Sequence, residues 1–176
     1  YQGGRNWHAS SVNNETGFLF VPMFEVCMDT LLDGTGTLLS SGLGTDTVPV
    51  PGTDGNYGRL QAIDLKNREL AWQYRQEVVP ASASLATAGG LVFLGYLDHG
   101  FKAFDQQTGD VLWETQLDAI PAAFPITYSV NGKQYIAIVA GQLNLHTGIW
   151  LGLMNQFTGF VPETPGAAAL WVFALE

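Results

Sequence analysis

Few side chains in this chain have the type and spacing for chemistry. His8, His99 and His146 lie far apart in sequence, and none sits in an H-E-x-x-H spacing, so each reads as a surface or packing residue rather than a metal ligand. Cys27 is the only cysteine, which excludes an internal disulfide and a Cys-x-x-Cys site. Neither a G-x-S-x-G nucleophile elbow nor a phosphate-binding glycine loop after a strand is present. Asn6-Trp7 differs, because it follows Gly3-Gly4 at the start of a strand-like run. An indole there can pack in a core or stack on a ligand. If it stacks, a flat ring beside an amide suits a planar ligand bearing several carbonyls, the ring giving a face and Asn6 a donor.

The elements that must position such a pair are strands. Of 176 residues, 47% are apolar and 12% aromatic, enough to fold and bury a core. No apolar run approaches the roughly 20 residues of a membrane helix, and the opening YQGGRNWHAS lacks the basic-then-apolar pattern of a signal peptide. It begins in mid-pattern, as a processed chain or a piece of something larger would. A net charge of −9 argues against nucleic acid or an anionic membrane as partner.

Residues 58–72 and 95–113 contain a repeat: Ala62, Asp64 and Trp72 match Ala103, Asp105 and Trp113 at a common offset of 41. A period near 40 built from short strands is the mark of a β-propeller blade. The tryptophans then pack between neighbouring blades, and the aspartates accept backbone N–H bonds in the turns that follow them. Strands are predicted at 7–12, 18–21, 58–63, 69–76, 82–87, 91–95, 101–104, 111–117, 126–130, 134–139 and 170–174. Asn131-Gly132 predicts a two-residue hairpin. Gly17 and Gly109 close tight turns, and Asn67 is expected to tolerate the left-handed backbone in the first copy. The fold class is all-β, about three propeller blades over 6–76, 80–117 and 122–176. Fewer than four blades do not close a ring, so another chain or a missing segment completes it. Insertions at 23–57 and 142–168 leave the face where the innermost strands begin. The second is apolar enough to pack over the channel mouth as a lid with one short helix.

Several motifs together resemble the pyrroloquinoline quinone (PQQ)-dependent alcohol dehydrogenases. They are the A-x-D-(x7)-W repeat, Gly3-Gly4-x-Asn6-Trp7, the stretch from Thr16 to Pro22, Leu85-Ala86-Thr87-Ala88-Gly89-Gly90, and Phe124-Pro125-Ile126-Thr127-Tyr128 with Gly132-Lys133-Gln134-Tyr135. The resemblance spans nearly the whole chain and matches the C-terminal part of an eight-bladed propeller. It implies periplasmic oxidation of an alcohol, polyol or sugar, with hydride passing to the quinone and electrons to an acceptor such as a c-type cytochrome. Ca²⁺ or a lanthanide would polarise the quinone carbonyl. Asn6 and Trp7 match the family's pair beside PQQ. The catalytic aspartate and metal ligands belong to earlier blades, so no catalytic or metal residue is expected in this chain. Arg5 stands where methanol dehydrogenase relatives carry a cysteine, which leaves Cys27 an expected free, buried thiol. Ala81 stands where they carry a tryptophan, which leaves room for a bulkier substrate. No Cys-x-x-Cys-His haem site occurs in this chain. The alternative reading is a non-catalytic propeller scaffold for protein interaction.

Overall fold

The computed structural model describes residues 4–5, 8–29, 35, 47–141, 145–161 and 168–174. In chain order come β1 (Ser11–Asn13), β2 (Phe18–Phe24), β3 (Val26–Met28), β4 (Thr47–Pro49), β5 (Gly58–Asp64) and β6 (Glu69–Gln76). Strands β1-β2-β5-β6 form a first antiparallel sheet, and β3 pairs with β4 apart from it. The second sheet is β7 (Leu85–Ala86), β8 (Leu91–Gly95), β9 (Gly100–Asp105) and β10 (Val111–Gln116), joined in sequence order. The third contains β11 (Ile126–Val130) and β12 (Lys133–Ala140); helix α1 (Leu145–Thr158) intervenes before β13 (Ala169–Ala174) pairs with β12. The fold is therefore all-β apart from α1, a partial β-propeller whose sheets do not close into a ring.

Side-chain alternation explains the stacking. In β8, Val92 and Leu94 point one way and Phe93 the other, and all three are buried because a sheet covers each face. Val92, Leu94, Tyr96 and Phe104 pack with Phe20, Leu60 and Ala62 of the first sheet. Phe93, Phe101 and Ala103 pack with Ile136, Ile138 and Ala140 of the third. The second sheet is thus the filling of a sandwich, and its central strand lacks the polar alternation of β5, where Arg59 and Gln61 interleave with buried Leu60 and Ala62.

The turns hold their expected chemistry with one change. Asp64 Oδ1 accepts the N–H groups of Lys66 (2.8 Å) and Asn67 (3.1 Å), and Asp105 Oδ1 those of Gln107 (2.7 Å) and Thr108 (3.0 Å). Asn131 and Gly132 both take positive φ, as their hairpin requires. The left-handed residue of the first copy, however, is Arg68 (φ 60°), not Asn67, whose side chain instead donates to Asp64 Oδ2 at 2.8 Å. Arg68 stands where the second copy has Gly109 (φ 79°).

Four further expectations change. The innermost strand of the first sheet starts at Ser11 rather than residue 7, and residues 82–87 contribute only Leu85–Ala86 as strand. The β3–β4 ribbon lies inside the first insertion, which had suggested no strand. It also corrects Cys27, which is free but exposed: on a three-residue strand with Val26 facing the core, alternation turns Cys27 outward.

Candidate functional site

Asn6 and Trp7 lie outside the described residues, but what flanks them is well placed. Gly4, at φ 74°, pairs with Phe24 through two backbone bonds, Gly4 N–H to Phe24 O (3.2 Å) and Phe24 N–H to Gly4 O (2.7 Å). Pairing with β2 resumes at Ser11, opposite Phe20. Seven positions separate Gly4 from Ser11 and four separate Phe20 from Phe24, so this segment carries three residues more than the strand beside it. The far end of the segment is tied to the second sheet, where Ser84 N–H donates to Ala9 O (3.1 Å) and Ser11 Oγ to Ser84 Oγ (2.9 Å).

His8, in this segment, is 2% exposed. Its ring meets Phe24 edge-on at 5.1 Å and lies 5.3 Å from the ring of His146 on α1. Trp150, one helical turn beyond His146, stacks on Phe24 at 3.9 Å, and its Nε1–H donates to His146 Nε2 at 3.1 Å. Four rings from three separate stretches therefore close around one another. Burial, reinforced by His146, lowers the His8 pKa to about 4, opposed by a hydrogen bond from the imidazole to the Ala81 backbone carbonyl; burial also lowers that of His146.

Helix α1 reaches this place because its buried residues Trp150, Leu151, Leu153 and Met154 form one apolar stripe. The stripe lies on Phe24, Val26, Tyr57, Val78, Val79, Leu97 and Ile120. These belong to strand ends and connections on the side where the innermost strands β1, β7 and β11 begin. A left-handed Gly159 ends the helix, its N–H bonded to Asn155 O at 2.9 Å. Among the described residues of the second insertion, α1 is thus an apolar roof packed over that face.

The ionic chemistry of the site lies beside the roof. Buried Glu25 receives Arg59 (2.6 Å) and Arg75 (3.3 Å) on one carboxylate oxygen. Among the described residues no group of three or more His, Cys, Asp or Glu could hold a metal. The face offers instead aromatic surface, the chain neighbours of an amide and an indole, and one buried hydroxyl: Ser10 Oγ has no hydrogen-bond partner among the described residues. Aromatic surface and an unpaired hydroxyl suit a planar, hydrogen-bonding group, and the described residues here offer no metal-ligand set.

Sequence reasoning treated the three histidines as unrelated, and the structure brings His8 and His146 together while leaving His99 elsewhere. The only local signal was the His146/Trp150 spacing of one helical turn. Nothing in the sequence linked either residue to His8.

The fold and this roofed face define a segment of a quinoprotein-type propeller. A profile of the PQQ-dependent glucose/ethanol/alcohol dehydrogenase β-propeller domain matches residues 30–136, and the chain belongs to that family. It is 35% identical, over 99% of its length, to the 1-butanol dehydrogenase (quinone) of Thauera butanivorans, and 31% identical over the same share to the quinoprotein ethanol dehydrogenase of Pseudomonas aeruginosa. It covers 27% and 28% of those relatives, so the chain spans about a quarter of their length. The backbone matches a europium-containing methanol dehydrogenase with a TM-score of 0.75 at 26% identity, over 99% of this chain and 34% of the other.

Proposed function

We propose that this chain is part of a PQQ-dependent dehydrogenase that oxidises an alcohol, and that Asn6 and Trp7 contact the cofactor. The family match over residues 30–136 carries the reading. In it, the three sheets are successive blades, 6–76, 80–117 and 122–176, of an eight-bladed ring that other polypeptide completes. The names of the relatives favour simple alcohols; polyols and sugars are the wider class. A c-type cytochrome is the proposed electron acceptor, and the periplasm the proposed location.

PQQ bound at this face would supply a two-electron acceptor for the hydride of the alcohol carbon, with Ca²⁺ or a lanthanide, held by residues outside this chain, as Lewis acid. The part of this chain is to hold and enclose. Asn6 donates to a carbonyl oxygen, Trp7 gives a stacking face, and the roof of α1 keeps water from the apolar cluster below it.

The test is to purify the chain with whatever co-purifies, add PQQ with Ca²⁺ or a lanthanide, and follow dye reduction over a panel of alcohols and sugars. Alcohol-dependent reduction is expected. Absence of quinone absorbance and turnover in the full assembly favours the protein-binding scaffold instead. Trp7→Ala is expected to weaken PQQ binding by roughly 1–3 kcal/mol, as loss of an aromatic platform does. Unchanged affinity shows that Trp7 only packs.

A further inference from the structure

The third sheet stops one strand short of a pattern that the first two repeat. In all three sheets a left-handed glycine precedes the second strand: Gly17 (φ 80°), Gly90 (φ 83°) and Gly132 (φ 78°). The third residue beyond it is an aromatic, Phe20, Phe93 or Tyr135. Opposite that aromatic, on the third strand, stands an alanine: Ala62, Ala103 or Ala174. In the first two sheets a fourth strand then sets a tryptophan against the alanine, Trp72 on Ala62 and Trp113 on Ala103. The register shifts just before each tryptophan, leaving Ala71 and Leu112 as the surplus residues of a β-bulge. Directly opposed side chains share a face, so the methyl group of alanine leaves room for the indole.

Ala174 has no such partner. Among the described residues β13 pairs with β12 alone. Ala174 is exposed where Ala62 and Ala103 are buried, and Leu170 and Val172 on the same face are exposed too. The hollow of about 300 Å³ between the second and third sheets is lined by Trp113, Phe173 and Ala174, among others. An antiparallel neighbour of β13 would begin beside Ala174, so its entry falls at this hollow. An open apolar strand edge is a pairing site.

A second copy of this chain does not meet the pattern. Antiparallel pairing of β13 with itself across a two-fold axis keeps like faces together. Its tryptophan, Trp171, lies with Phe173 on the face toward the second sheet, and Ala174 lies on the other. The chain spans about a quarter of its relatives' length, so proteins of that build hold most of their polypeptide outside this segment.

We propose that the free edge of β13 is the docking site for one antiparallel strand from the remaining polypeptide of the dehydrogenase, and that this strand seats a tryptophan opposite Ala174 after a one-residue bulge. This rests on the reading of the three sheets as blades of one ring and not on the presence of PQQ.

The test is site-specific photo-cross-linking in the complete assembly, with p-benzoylphenylalanine in place of Leu170 or, separately, of Val172, and the captured peptide sequenced. Both are expected to capture one segment, the Leu170 site about two residues C-terminal to the Val172 site, with a tryptophan about two residues N-terminal to the latter. Capture of β13 from a second copy, a parallel order, or a segment without that tryptophan overturns the proposal. Ala174→Phe crowds the indole and is expected to lower capture from position 170 by about tenfold or more, Ala174→Ser by less than about twofold. Equal capture in both overturns the indole seat. Hydrogen exchange needs no substitution: in the unmodified assembly the amides of β13 are expected to exchange within about tenfold of those of β9. Exchange faster by about 100-fold or more marks an open edge and overturns the strand. An assembly that cross-links as expected and binds no PQQ counts against the proposed function alone, whereas an active, PQQ-loaded assembly without the cross-link overturns the strand alone.

Discussion

Trp72 and Trp113 stand at equivalent places in successive sheets, yet the seams they serve are built differently. Trp72 reaches the second sheet, where its Nε1–H donates to the Gln106 carbonyl at 2.9 Å. Its ring lies so close to Gly109 that a Cβ there would sit 2.6 Å from it. Gln106, fully buried, extends the joint: Asn13 Nδ2 donates to its Oε1 (2.7 Å), and its own Nε2 donates to the carbonyls of Thr87 (2.9 Å) and Leu91 (2.6 Å). Among the described residues Trp113 meets aromatic edges alone, Phe173 at 5.0 Å and Phe101 at 6.3 Å. It is 38% exposed and borders a hollow of about 300 Å³ between the second and third sheets. A tryptophan closes a seam when the next sheet presents, after its third strand, a carbonyl and a residue without a side chain. The turn after β9 presents both to Trp72.

The first seam should therefore be the easier to break. Gly109→Ala faces two penalties, a left-handed φ of 79° and a collision with the Trp72 ring. The expected loss is about 3–4 kcal/mol of unfolding free energy, read from the shift in urea midpoint at constant slope. Glycine substitutions at Gly132, where no atom lies within 4 Å of the added carbon, meet the φ penalty alone and should lose less. Gln106→Ala comes next. It strips the buried Asn13 amide of its acceptor and removes one donor each from the Thr87 and Leu91 carbonyls, which keep others, and about 2 kcal/mol should be lost in the same measurement. A loss under about 0.5 kcal/mol would show that water replaces the amide and that the joint is not specific.

How far these seams were legible depends on whether a contact leaves a local trace. The 41-residue repeat disclosed the tryptophans, the turn aspartates and the sheet framework, because each repeats a pattern of chemistry at a fixed step. It was silent on Gln106, whose counterpart in the first copy is Leu65, half-exposed and part of no such network. Asn67 looked the better left-handed residue, but its amide serves Asp64, and the conformation falls to Arg68 by position in the turn rather than by propensity. Cys27 was misjudged because hydrophobic character predicts burial only on average, while a short ribbon fixes the side by alternation. The roof was visible as an apolar insertion. The ring contact beneath it was not, since His8 and His146 meet only when sheet and helix are both in place.

The smallest prediction separates the two tryptophans directly. Trp72→Phe keeps most of the apolar ring, loses the bond to Gln106 O and leaves that carbonyl without its indole donor, so about 1–2 kcal/mol should go. Trp113→Phe removes an indole N–H with no carbonyl partner among the described residues and a ring edge beside open volume, and in the isolated chain should lose less than about 0.5 kcal/mol. The same pair measured in the complete assembly sharpens the comparison. If further polypeptide completes the third blade and fills the hollow beside Trp113, the second substitution should rise toward the first. Equal small losses in both settings would mean that Trp113 ends a seam by its ring contacts alone, and that the seam between the second and third sheets is finished as it stands.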